Sequence, residues 1–322
     1  MKLLQSFKIL AGAVCLIGGQ VHAQTILEAP QAPSATQLDD VVVTGERLQA
    51  QAEAFVASVG APANGRKLAT WTGSICVGAA GLAPDAARAM VDRILDWGHS
   101  LGLRIGAPGC HPNILIVFGE DGDKTAREIV RARPLEFNPG VSGLDRGRRA
   151  LRAFQNSGRP VRWWHMSLPV DPDTGNQLVR LPGDAPFSIS GEITRPSDLG
   201  SFGQIVMGSR LYDDSLDALK SLVVVIDAQA LEHTGFAQLS DYVAMIALAQ
   251  IEPDTRPAAA SILNIFNDDG VAEPTLTSWD RAFLEALYQT RPRNVRPKSD
   301  GDLIAQGMVR RLQRSSQIQM DP

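Results

Sequence analysis

Two short stretches of the chain carry residue types that could do chemistry. The first is "HTGFAQLSDYVAMIALAQIEPD", His233 to Asp254. Asp241 paired with His233, or with His165 from earlier in the chain, has the groups for general base and general acid work, provided folding brings them within hydrogen-bond reach. The second is "RWWHM", Arg162 to Met166. Side chains alternate along a strand, so Trp163 and His165 point one way and Arg162 and Trp164 the other. If exposed, Arg162, Trp163, Trp164 and His165 form a platform on which a sugar or aromatic ligand can stack. The competing arrangement puts one tryptophan in the core, covers the other with the loop after Pro169, and leaves His165 a structural histidine.

Other chemistry is not supported by the spacing. His233 lies seven residues before Ser240, too far for the i, i+4 pair that holds zinc on a helix. In "DPDTGNQ", Asp171 and Asp173 fit the first and third positions of a calcium loop. Gly175 and Pro182 stand where oxygen ligands belong, so the segment reads as a turn. His99 and His111 are scattered relative to His165 and His233. No glycine-rich phosphate loop and no G-x-S-x-G elbow is present. The expected cofactor and metal complement is none.

The N-terminus predicts the compartment. "MKLLQSFKILAGAVCLIGGQVHAQ" has Lys2 and Lys8, an apolar run from Ile9 to Gly19, and a small-residue site ending at Ala23. These are the three parts of a secretory signal. The run is about half the ~20 residues needed to span a bilayer, so cleavage near Ala23 and a periplasmic or secreted product are expected, with no membrane span left. Removing residues 1–23 takes two lysines from 31 basic residues against 35 acidic ones, so the formal charge moves from −4 to 29 − 35 = −6. A mildly acidic chain without a basic block gives no electrostatic footprint for nucleic acid. Of the three cysteines, Cys76 and Cys110 remain, and in an oxidising compartment they are expected to form a disulfide.

The elements that must position these groups follow from periodicity. Residues 24–66 read as a Pro/Ala/Gln-rich arm with a short β-prone run at 40–45. The main domain is expected over 67–297. "APDAARAMVDRILDWGHSLG" places Met90, Ile94, Trp97 and Leu101 on one helical stripe. Ile114 to Phe118 and Leu222 to Ile226 are continuous apolar runs, the mark of buried strands. Val161 to Leu168 and "FSISGEITR" are further strand candidates. "RGRRALRAFQNSG" is a short helix with a basic outer face. Residues 238–250 are a helix apolar around most of its circumference, and "TSWDRAFLEALYQTR" is a helix opened by the capping pair Thr277 and Asp280. A polar helical tail, 298–322, closes the chain.

From Leu222 to Arg291 the sequence resembles the C-terminal half of an uncharacterised family of secreted bacterial proteins with a zincin-like pattern. The matching residues are "LVVVID", "QLSDYVAMIALAQ", "SILNIFNDDG" and "LTSWDRAFLEALY", with Cys110 ahead of Asn113-Ile114-Leu115-Ile116. In that family the helix carries a His-Glu pair and a Gln a short helical distance later. Here the ligand position falls on Ser240, the general-base position on Asp241, and the next turn on Ala244 or Met245. The resemblance therefore implies the shape of a degenerate metallopeptidase without its zinc donors. Separately, "DDVVVTGERL", Asp39 to Leu48, is similar to the plug start of TonB-dependent receptors. Such a segment can add as an edge strand to an envelope partner.

Together these readings predict an α+β or α/β domain with a mixed sheet of four to five strands. The expected role is a non-catalytic binding or scaffolding domain of the Gram-negative envelope, with an envelope protein or glycan as partner. The alternatives are a hydrolase with a non-standard site around Asp241 and His165 or His233, and an accessory of TonB-linked uptake.

Overall fold

The sheet positions everything else. The computed structural model describes residues 36–62, 66–138, 146–172, 215–231, 234–267, 273–289 and 297–320. Its strands are β1 (Val77–Ala80), β2 (Ile114–Gly119), β3 (Val161–Val170) and β4 (Leu216–Asp227), in the spatial order β1-β2-β4-β3. β1, β2 and β4 run parallel, and β3 pairs antiparallel with β4 at the edge. The expected mixed sheet is therefore present, with four strands among the described residues. "FSISGEITR" lies outside them, as do residues 1–23, Asp173 and His233.

Apolar layers cover both faces, which is why the central strands need no polar alternation. On one face Ile114, Ile116, Leu222, Val224, Ile226 and Trp163 meet helices α2 (Pro84–Ser100) and α6 (Phe236–Leu248). On the other, Trp164, Met166, Val223 and Val225 meet α3 (Gly122–Ala132), α4 (Pro134–Phe137) and α5 (Gly147–Gln155), through Ala126, Phe137 and Phe154. The alternation predicted for Trp163 and Trp164 thus holds, but both rings are core.

The Cys76–Cys110 disulfide forms, with its Cα atoms 6.1 Å apart. It ties the residue before β1 to the turn before β2 and so encloses α2. Closing a loop with a sequence separation of 34 restricts the unfolded chain by roughly 4 kcal/mol in the loop-entropy treatment. Beyond β1, Gly81 adopts φ +81°, and a Cβ there would stand 2.2 Å from the Phe118 carbonyl oxygen. Gly81→Ala combines a left-handed backbone with a backbone clash. We expect a clear loss of stability in urea unfolding, larger than the ~1 kcal/mol of an ordinary glycine replacement.

Two terminal segments differ from expectation. Residues 40–45 are not a strand but lie within helix α1 (Thr36–Val59). Ala52, Phe55, Val56 and Val59 of that helix are buried core, so residues 52–59 are not a solvated arm. β-Branched residues at 41–43 signal strand only weakly, because tertiary packing overrides local propensity. The helical tail is present as α8 (Pro297–Met320), but Ile304, Ala305 and Met308 are buried, and Arg311 Nε donates to Glu285 Oε2 of α7 (Ser278–Gln289) at 3.1 Å. Residues 43–322 form one unit. No described helix is long and apolar enough to cross a membrane.

Candidate functional site

Helix α6 carries Asp241, the acid singled out for base chemistry, together with Ser240, Ala244 and Met245. Its residues Leu239 through Leu248 are all buried, so it is a central core helix with apolar contacts all round. Ser240 Oγ donates to the Phe236 carbonyl at 2.7 Å, the usual back-bond of a serine inside a helix. Ala244 and Met245 are fully buried.

Asp241 is 1% exposed and fully engaged. Arg93 of α2 grips it with two bonds, Nε to Oδ1 at 2.6 Å and Nη2 to Oδ2 at 2.8 Å. Trp97 Nε1 donates to Oδ1 at 2.8 Å, and Thr275 Oγ1 to Oδ2 at 2.6 Å. Burial alone would raise its pKa. The hydrogen bonds from Arg93, Thr275 and Trp97, with the Arg93 charge, outweigh that and hold it below the ordinary carboxylate value. A carboxylate so stabilised in its charged form is a poor general base near neutral pH. It is a tie between α2, α6 and the chain before α7.

His165 is a second tie, at the other end of the helix. The last carbonyls of any helix lack intrahelical partners. In α6 three of them are met by side chains from three different segments. His165 Nε2 lies 3.0 Å from Ile246 O, Trp71 Nε1 donates to Ala247 O at 2.7 Å, and Tyr288 OH donates to Leu248 O at 2.7 Å. Trp163 Nε1 donates to Ile251 O just beyond, at 3.0 Å. Since a carbonyl only accepts, the imidazole carries its proton on Nε2. Burial pushes the His165 pKa down to about 4, against the hydrogen bond to Ile246, and the Arg146 charge acts in the same direction as burial.

His165 therefore stays neutral in the fold while an unfolded histidine protonates near 6.5. The unfolded state binds the extra proton between those values, so stability is complete above about pH 6.5 and falls as pH drops toward about 4. The loss is about 3 kcal/mol across that window. Urea unfolding at neutral and mildly acid pH checks this: His165→Gln should flatten the dependence.

Asp241 and His165 share no hydrogen bond, and each is occupied by a different structural partner. The stacking platform is also not available on the surface. Arg162, Trp163, Trp164 and His165 are 2%, 4%, 4% and 5% exposed. The physical reason is that β3 is sandwiched, so both faces of the strand are interior. Among the described residues no three His, Cys, Asp or Glu side chains gather as a metal site.

A cleft of about 590 Å³ remains, and sequence reasoning missed it. It is lined by Arg162, Trp163, Trp164 and His165 together. β3 is the edge strand among the described residues, and side chains from both of its faces line the cleft, so the cleft runs beside β3. Arg149, Ala150, Ala153 and Phe154 of α5 form one wall, and Ile251 to Asp254 with Pro62 the other. Arg146 and Glu252 bridge at 2.5 Å, and Arg159 pairs with Asp254. Arg162 turns back to pair with Asp123 and donates through Nη2 to Arg159 O at 2.8 Å. The signal in the sequence was the arginine density from 146 to 162. It could not be read as a cleft, because its opposite wall lies some ninety residues later.

No family model, characterised protein or solved structure matches the chain.

Proposed function

We propose that this chain is a non-catalytic binding or scaffolding domain of the cell envelope, of zincin-like ancestry. One observation carries the reading. Each α6 position that a zinc hydrolase would use is spent on structure: Ser240 on Phe236, Asp241 on Arg93, Trp97 and Thr275, and Ala244 and Met245 on apolar core. The disulfide supports an oxidising compartment, and the signal-like residues 1–23 support export. The cleft beside β3, rather than α6, offers the concave surface a ligand needs.

The test uses the protein purified without residues 1–23, incubated with a fluorescent casein and with solubilised peptidoglycan. We expect no product above that of heat-inactivated protein. Product above that level, rising in proportion to the protein added and co-eluting with it through a final gel-filtration step, would overturn the proposal.

A further inference from the structure

The cleft beside β3 has an unbalanced hydrogen-bond inventory. Among the described residues Arg146, Arg149, Arg159 and Arg162 line it with Glu252 and Asp254, and Asp123 pairs with Arg162, a local formal charge of 4 − 3 = +1 on a chain that is net acidic. Arg149 is exposed and makes no ion pair or hydrogen bond among the described residues, whereas Arg146, Arg159 and Arg162 are each paired with a carboxylate. Two further donors on the lining residues, Arg162 Nε and Trp164 Nε1, are buried with no acceptor among the described residues. Guanidinium and indole N–H groups donate only. An orphaned buried donor costs about 1–3 kcal/mol, and both belong to residues of the cleft lining, so an acceptor brought to either one is favoured.

We propose that this cleft binds a small organic oxyanion, a carboxylate or a phosphate ester, with its charged end on Arg149 and Arg159 and its apolar part along Ala150, Ala153 and Phe154. The inference rests on the binding-domain reading above and supplies its ligand class. Planar guanidinium groups present paired donors that match carboxylate and phosphate oxygens two at a time. Glu252 and Asp254 already occupy two of the arginines from across the cleft, so a ligand oxyanion enters where their carboxylates now sit. Burial holds the Arg159 pKa below the ordinary value against the attraction of Glu252, and the neighbouring Arg162 and Arg146 charges act in the same direction as burial. The volume suits an organic ligand, since such sites span roughly 300–1,000 Å³.

The experiment titrates the ¹⁵N-labelled protein, purified without residues 1–23, with phenyl phosphate, benzoate and uncharged benzyl alcohol. The five tryptophans give separate indole N–H resonances, and Trp164→Phe identifies that of Trp164. The expected result is saturable heat in calorimetry and a shift of the Trp164 resonance with phenyl phosphate or benzoate. The tighter of the two names the oxyanion, and benzyl alcohol gives neither signal. Arg149→Ala, on an exposed side chain, should keep the Tm and weaken binding about tenfold, or about 1.4 kcal/mol. Arg88→Ala, at an exposed site on α2, should bind as the parent does. No heat and an unmoved Trp164 resonance with both anions would overturn the inference and leave the non-catalytic reading intact, as would undiminished binding by Arg149→Ala. Binding followed by release of phosphate from phenyl phosphate would keep the site and overturn the non-catalytic reading.

Discussion

Asp241→Ala is expected to lower the unfolding free energy by about 3 kcal/mol, the low end of the cost of breaking a buried ion pair. The low end applies because Arg93 is partly exposed and can turn toward water once its partner is gone, which discounts the penalty. What cannot be recovered is the Trp97 indole N–H and the Thr275 hydroxyl, which lose the same acceptor. Asp241→Asn keeps the shape and the acceptor oxygen but loses the charge. It should fall between the parent and the alanine variant. The charged form of Asp241 is stabilised in the fold, so its contribution is present above the ordinary carboxylate pKa and disappears as pH falls through the depressed value. Urea unfolding of the three proteins at neutral pH checks the order. A catalytic Asp241 gives a different pattern, in which both substitutions leave stability nearly unchanged.

Phe55→Ala is expected to cost 3–5 kcal/mol, in line with large-to-small changes at buried aromatic sites, and to lower the Tm by roughly 10 °C. Phe55 sits between two aromatic rings of α7, with centroids 5.7 Å from Trp279 and 5.9 Å from Phe283. The same helix α1 buries Val56 and Val59, and the chain leaving it is pinned by Ala61 N to Gln250 O at 2.9 Å and Glu252 N to Val59 O at 2.8 Å. The segment that leads into the cleft wall at 251–254 is therefore held by α1. If residues 52–59 were a solvated arm, Phe55→Ala would shift the Tm by no more than an ordinary surface change.

These two sites mark where sequence reading succeeds and where it stops. The runs at Ile114 to Phe118 and Leu222 to Ile226 are legible because a strand covered on both faces must be apolar at every position. The stripe Met90, Ile94 and the all-round apolarity of 239–248 are legible for the corresponding reason in helices. β1 is only four residues, "VGAA", and has no periodicity to detect. The end of α1 looks like part of an arm because its partners, Trp279 and Phe283, lie more than two hundred residues away.

The candidate site shows the same limit more sharply. Alternation along "RWWHM" gave the two directions of Trp163 and Trp164, yet which direction is solvent depends on α5 and α6, and both sides proved interior. Asp241 was visible as an acid on an apolar helix, but its grip by Arg93 joins residues with a sequence separation of 148. His165 could be recognised as a histidine on a strand. Its task, closing the carbonyl end of α6 alongside Trp71 and Tyr288, requires three remote segments to converge.

The most direct test of the claim that α6 is a structural helix is the metal content of the native protein. Protein purified without residues 1–23, in metal-free buffer after growth with zinc, is assayed by elemental analysis, and its Tm is measured with and without a chelator. The account predicts zinc well below one equivalent and a Tm that the chelator does not move. One equivalent of zinc, lost on chelation together with a fall in Tm, would contradict it.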